Sequence, residues 1–346
     1  IGYIVSIPVF CDSGFVLLSP LNKALSKKAK TSLAAGAVAL ALGLYATHTM
    51  VPPTPGPVAA AAALDADLGL VALWGLLVSL IALGAGWLFA VKVGSKVAIS
   101  AEDAGPLSTR PSESASVLEA PAPSAGKALL PILVPILLIV GRSVSRAVFD
   151  LPAGGAAESV LEFVGQPVVA LLIGVLLAFL LPKRLHKNML STDGWIGHAV
   201  VNAAAIILIT GAGGSFGKVL QNSGIAGVIE QVLGDRQLGI WLPFLLAAAL
   251  KTAQGSSTVA IITTANIMAP LLPAFGLDSA TARALVVIAI GAGSMVVSHA
   301  NDSFFWVVTQ FSKMSVSQGY RLQTLGTLVE GGVAMAIVWV LSLFLL

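Results

Sequence analysis

Apolar runs of about 20 residues recur along nearly the whole chain, the length a helix needs to cross a hydrocarbon core of about 30 Å. Several runs are interrupted. Residues 1–21 are split by "CDSG" at 11–14, and 22–32 ("NKALSKKAKTS") reads as a loop carrying four lysines. The run over 33–66 is broken by "PPTPGP" at 52–57, just after His48, whereas 68–93 is a clean span. Residues 94–127 mix Ser, Pro, Glu, Asp and Lys without apolar periodicity, the pattern of a flexible cytoplasmic linker. Spans follow over 128–149, 160–182 and 195–211, then an amphipathic stretch over 215–233 that leads to the polar "GDRQ". The run over 238–273 is split by "KTAQGSST" (251–258) and that over 281–311 by "SHANDS" (298–303). A last span covers 318–346.

The order of the breaks repeats. A segment split near its middle ("CDSG") precedes one broken at a histidine (His48), and "KTAQGSST" precedes His299 in the same way. This pattern predicts an all-α polytopic membrane protein built from two inverted repeats, each with a re-entrant hairpin and a broken helix. Residues 1–93 are the remainder of the first repeat and 128–346 the second half. Completing the symmetry calls for on the order of 100 further residues upstream of Ile1. The basic loops supply orientation. Lys23, Lys27, Lys28 and Lys30 place 22–32 in the cytoplasm, with Lys92, Lys96, Lys183, Arg184, Lys187 and Lys313 on the same side. The first hairpin then opens inward and the second outward.

Composition agrees with this reading. The chain has 346 residues, 57% hydrophobic and 10% charged, with a mean hydropathy of +0.94; soluble domains carry roughly 25% charged residues. A net charge of +3 is too small to suggest a nucleic-acid partner. Cys11 is the only cysteine, which excludes an internal disulfide and a cysteine metal cluster. It reads as a small packing residue. The start carries no basic n-region of a signal peptide.

A helix broken at membrane depth exposes unpaired N–H and C=O groups at several kcal/mol each, so it persists only where protein or a water-filled cavity satisfies them. Freed helix N-termini suit a carboxylate, which makes the breaks the candidate substrate site. The candidates are Asp12, Ser13 and Gly14 in the first break and His48, Thr49, Thr54 and Gly56 in the second. In the third they are Lys251, Gln254, Gly255, Ser256, Ser257 and Thr258, and in the fourth His299, Asn301 and Ser303. Lys251 is expected to be the counter-ion of an anionic solute, with snorkelling as the plainer alternative. Asp302 and Asp12 are candidates to carry a coupling proton, or else are helix caps. His48 and His299 are candidate relays or substrate donors, the alternative being histidines satisfied by neighbouring carbonyls. Glu162 and Glu330 are expected at an interface or facing the bundle.

Other chemistries fit less well. "GAGGSFGKV" has Ala212 where a phosphate loop needs its first glycine and Val219 where it needs Ser or Thr. No HExxH or close ligand pair supports a metal site, and no cofactor is expected. An intramembrane enzyme built on Ser256 and His299 is conceivable, as is a channel, but the channel requires a continuous pore in place of hairpins from opposite sides.

The stretches "IPVFCDSGFVLLSPL", "HTMVPPTPGPVAAA", "ITGAGGSFGKVLQNSG", "AQGSSTVAIITTA" and "SHANDSFFWVV" resemble the gluconate:proton symporter family, in the family's order and across almost the whole chain. The resemblance implies secondary active uptake, across a bacterial inner membrane, of gluconate or a related hydroxy-monocarboxylate together with a proton. D-serine or another small amino or organic acid is the alternative. The expected partners are the small anionic acid, the proton and the lipid bilayer, with no nucleic acid; a homo-oligomer is left open. Cys11 stands where the family usually has an aromatic residue, and "SSTV" where a small alanine is common before Thr. Both departures bear on substrate detail.

Overall fold

The structure, a computed structural model, describes residues 1–7, 10–97, 99, 124–148, 156–182, 187–197 and 238–346, with a few isolated positions between 199 and 219. All regular elements among them are helical. The chain divides into two compact units, one of residues Ile1–Gly105 with Ile209–Leu346 and one of Pro106–Leu208.

The first unit contains α1 (Gly2–Val5), α2 (Cys11–Ala29), α3 (Leu33–Met50), α4 (Pro55–Ala63) and α5 (Leu68–Lys92). Leaving the second unit's α6 to α8 aside, it continues with α9 (Trp241–Gln254), α10 (Ser257–Met268), α11 (Ala280–Met295) and α12 (Ser303–Phe311). The short α13 (Val316–Gly319), a π turn over Tyr320–Thr324 and α14 (Leu325–Leu345) complete it. Polar side chains start most of these helices by accepting the backbone N–H groups that a first turn leaves unpaired. Ser32 accepts from Ala34 N at 3.2 Å, Asp67 from Leu70 N at 2.8 Å, Ser256 from Val259 N at 3.3 Å and Ser279 from Ala282 N at 3.1 Å.

Helices α3 and α11 form the core, with every residue over 41–51 and 284–296 buried. Small residues let the neighbouring backbones close on them, as is usual between helices in lipid. A Cβ at Gly75 of α5 would lie 2.3 Å from the Met50 carbonyl oxygen, and one at Gly291 of α11 would lie 2.4 Å from that of Thr49. The end of α3 is thus clamped from two sides. Among the described residues, three stretches are long and apolar enough to cross a membrane: Leu33–Ala63, Leu68–Lys96 and Val316–Leu345. On α5 and α14 the residues turned away from the core are large and apolar, among them Leu77, Leu80, Ile81, Leu328, Trp339 and Leu343. Outside water, such a surface is a lipid-facing one.

The second unit packs α6 (Ala125–Val148) on α8 (Pro167–Phe179), with α7 (Ala156–Val164) between them in sequence. Gly174 admits Pro135, whose Cγ would lie 2.6 Å from an added Cβ, and Arg142 pairs with Glu162 at 3.0 Å.

Several boundaries differ from the pattern-based expectation. "CDSG" does not split a helix; it is the first turn of α2, with Gly14 N donating to Phe10 O at 2.8 Å, and the interruption falls before it. Asp12 suits that position because a first turn favours negative charge. The lysine-rich 22–32 is helical to Ala29 and ends on left-handed Lys30. Lysine, alanine and leucine are good helix formers, and cations favour a helix C-terminus. The span expected over 160–182 is two helices parted at Gly165–Gln166, since Pro167 can begin a helix but not continue one. The last span starts at Val316 and passes through the π turn. Most of the linker expected over 94–127, most of the span over 195–211, the amphipathic stretch over 215–233 and "GDRQ" lie outside the described residues.

Candidate functional site

Two interruptions meet within the first unit, beside the end of α3. Helices α9 and α10 pack on each other and are joined by Gly255 and Ser256 alone, so Lys251 and Gln254 belong to the last turn of α9 and not to a longer break. Gly255 has φ +85° and an added Cβ there would lie 2.1 Å from the Asn301 carbonyl oxygen. A glycine is required on both counts. The chain over 296–302, between α11 and α12, therefore lies directly on the α9–α10 turn. Asn301 Nδ2 donates to the Thr252 carbonyl at 2.8 Å, and a ring nitrogen of His299 lies 3.1 Å from the same oxygen.

Beneath this contact lies a buried charge cluster. Lys251, 1% exposed, places Nζ 2.7 Å from Asp302 Oδ2 and also donates to the Gly255 carbonyl. The same Asp302 oxygen accepts from Ser298 Oγ at 2.5 Å and from the Tyr45 hydroxyl at 3.3 Å. Asp302 Oδ1 caps α12 by accepting from Phe304 N at 3.1 Å. The Tyr45 hydroxyl is in turn hydrogen-bonded to Ser257 Oγ, at the first turn of α10. The Lys251 ammonium stands 5.9 Å from the Tyr45 ring centroid. A buried ion pair is tolerable only when further hydrogen bonds satisfy its remaining lone pairs and protons, and these partners supply them.

Around the cluster, His48 is buried at the end of α3, stacked on Tyr45 with ring centroids 6.5 Å apart, and its Nδ1 has no partner. Phe10 covers its other neighbourhood at 5.5 Å. Thr49 bonds back to the Tyr45 carbonyl at 3.2 Å and Thr54 to that of Val51 at 2.6 Å. Gly56 lets α4 approach Ile261 of α10. At the N-terminus of α2, half-buried Asp12 is 3.5 Å from Ser303 Oγ, Ser13 is exposed and Gly14 is buried. Gln254 is exposed; Ser256 and Thr258 are half-buried.

The structure thus joins Lys251, Gly255, Ser257 and Asp302 in one network, with His48 attached through Tyr45. His299 and Asn301 sit on the adjoining turn. Asp12 and Ser303 form a separate contact beside it, while Thr49, Thr54 and Gly56 serve the backbone of α3 and α4. Sequence reasoning missed Tyr45, which stands alone in "ALGLYATHT", and Ser298, the first residue of a break where only its neighbours were singled out.

The chain is similar to known permeases along almost its whole length. The model of the GntP family of permeases matches residues 1–344. The inner membrane permease YgbN of Escherichia coli is 36% identical over 98% of this chain and 75% of its own length. A gluconate permease of Pseudomonas aeruginosa is 34% identical over 99% and 75%. The D-serine transporter DsdX of Escherichia coli is 33% identical over the same shares.

Proposed function

Because the chain belongs to the GntP family of permeases, we propose that it takes up gluconate or a related small hydroxy-monocarboxylate with a proton, by exchange of partners at Lys251. The observation that carries this reading is the Lys251–Asp302 pair, buried at the junction of two helix interruptions. A carboxylate entering such a site needs a cation, and Lys251 is already engaged. Asp302 releases it by binding a proton, the substrate carboxylate takes its place, and the charge within the site is unchanged. A charge left unpaired would cost several kcal/mol, so proton and anion enter together or not at all. Asp12, beside Ser303, is the second carboxylate in reach of the same proton traffic. Hydroxyl and amide groups at the rim, Ser13, Gln254, Ser256, Thr258, Asn301 and Ser303, are suited to a polyhydroxylated acid.

The alternative substrate is D-serine or another small amino acid, favoured by the 33% identity to DsdX. Counterflow in proteoliposomes with gluconate, other sugar acids, glycerate and D-serine separates the two. The membrane is the bacterial inner membrane, as the name of the relative YgbN has it.

Partner exchange has a pH signature. Proton binding at Asp302 precedes substrate binding, so the apparent KM should rise as pH rises. In Asp302→Asn it should be lower and flat with pH, because asparagine never competes for Lys251. Exchange of substrate should continue in this variant while accumulation driven by a pH gradient falls, because the proton carried by Asp302 no longer accompanies the substrate. Undiminished accumulation against a gradient would remove Asp302 from the mechanism.

On this reading α3–α4 and α11–α12 are the matched broken helices of two inverted repeats, residues 1–93 and 128–346, each following a hairpin. His48 and His299 then face one chamber from opposite halves. Cysteines at the two positions, in a Cys11→Ser background, should be joined by a short bifunctional reagent. Failure to cross-link in folded, active protein would count against a shared chamber.

A further inference from the structure

Glu330, on α14, is completely buried, and neither carboxyl oxygen has a hydrogen-bond partner. Its Oε1 lies against the backbone of α5, 2.9 Å from where a Cβ at Gly86 would stand, with Leu42 of α3 beside it. Seven residues earlier, within the π turn, the Gln323 side chain is equally buried and equally unpartnered. Among the described residues, those that approach α14 at Gly326, one turn before, and at Gly331, the next residue, are uncharged: Leu42 on α3, Phe89 on α5, and Ala292, Met295 and Val296 on α11. The ionisable groups of those helices lie elsewhere. Tyr45 and His48 belong to the Lys251 cluster, Lys92 is exposed at the end of α5, and Arg283 pairs with Asp65 at 2.8 Å.

A carboxylate in such a place, with neither cation nor donor, is among the most expensive groups a membrane protein can hold. A proton removes the charge, and the tight approach of Gly86 leaves room for little else. The π turn over Tyr320–Thr324 begins directly after Gly319, and such turns are frequent at functional sites in helices. The same region holds the substrate cluster. Thr324 Oγ1 donates to the Ser298 carbonyl at 2.5 Å, Ser298 N donates to Thr327 Oγ1 at 3.1 Å, and Ser298 Oγ donates to Asp302. Any movement of α14 that exposes Glu330 to water therefore pulls on the serine that holds Asp302.

We propose that Glu330 is a second proton-binding site, apart from the substrate cluster and linked to it through Ser298, so that two protons accompany each substrate molecule. The proposal rests on the transport reading above. The step is a plain protonation: a proton bonds to the Glu330 carboxylate when α14 and α5 part toward one side and leaves it when they part toward the other.

Two measurements on the purified, reconstituted protein test it. Infrared spectroscopy should show a protonated-carboxyl C=O band that Glu330→Gln removes; a band unchanged by the substitution overturns the proposal, whether or not the protein transports. Proton and substrate fluxes into proteoliposomes should fall to half the original ratio in Glu330→Gln, with gluconate as substrate, or D-serine if only that counterflows. Glu330→Met, apolar and suited to the buried site, should give the same halved ratio. An unchanged ratio in the variant that folds overturns the proposal. Because Asp302→Asn is read by an apparent KM that no longer varies with pH and Glu330→Gln by the halved ratio, either reading can fail alone.

Discussion

Replacing Lys251 by methionine should lower stability by about 3–5 kcal/mol, because it leaves the Asp302 carboxylate buried without its cation. The bonds from Ser298 and Tyr45 remain, yet neutral donors do not neutralise a charge. Adding Asp302→Asn should return most of the stability, since asparagine is neutral and can still cap α12 through its side-chain oxygen. Transport should not return, because no cation is left for the substrate carboxylate. Thermal unfolding of the purified variants in detergent reads the first two effects, and counterflow reads the third. A single variant as stable as the original protein would show that the pair is dispensable for folding. A double variant no better than the single would show that the loss comes from something other than the unpaired charge.

Gly255→Ala should stop uptake. The added methyl would overlap the Asn301 carbonyl, and the residue would have to hold a left-handed backbone that costs a non-glycine roughly 1–2 kcal/mol. The turn would shift, and with it the Gly255 carbonyl that Lys251 bonds. Gly276 supplies the control. It has φ +64° but open space where a Cβ would stand, so Gly276→Ala bears the backbone penalty without the collision. Uptake in Gly255→Ala equal to that in Gly276→Ala would mean that the contact with Asn301 has no part in the site.

Where the sequence carried a local signal, the break was legible. "PPTPGP" had to interrupt a helix because proline lacks the donor N–H, and α3 does stop at Met50 before α4 starts at Pro55. Polarity alone misplaced the others. "KTAQGSST" reads as eight residues of loop, yet the polar side chains of Lys251, Thr252 and Gln254 sit comfortably on the final turn of α9, and Gly255 does the turning. "CDSG" failed in the same way, as a polar first turn. The candidate residues were named, but their pairing was not. Lys251 and Asp302 were assigned separate tasks, one for the solute and one for the proton. Nothing in a single sequence says that residues so far apart share a 2.7 Å contact. Tyr45 left no trace because a tyrosine in an apolar run is expected wherever a helix is buried. Glu330 was visible as a charge in a span, but its isolation depends on three other helices.

For anyone wishing to retune what this transporter carries, the glycine clamp on α3 divides the site into what can be varied and what cannot. With Gly75 and Gly291 pressed against the carbonyls of Met50 and Thr49, the end of α3 has no slack. A library that enlarges either glycine spends its members on misfolded protein. On the proposed function, the side chains with freedom to change are exposed members of the rim, Ser13, Gln254 and Ser303. Randomising these three and selecting for growth on a new acid samples altered specificity on an unaltered frame.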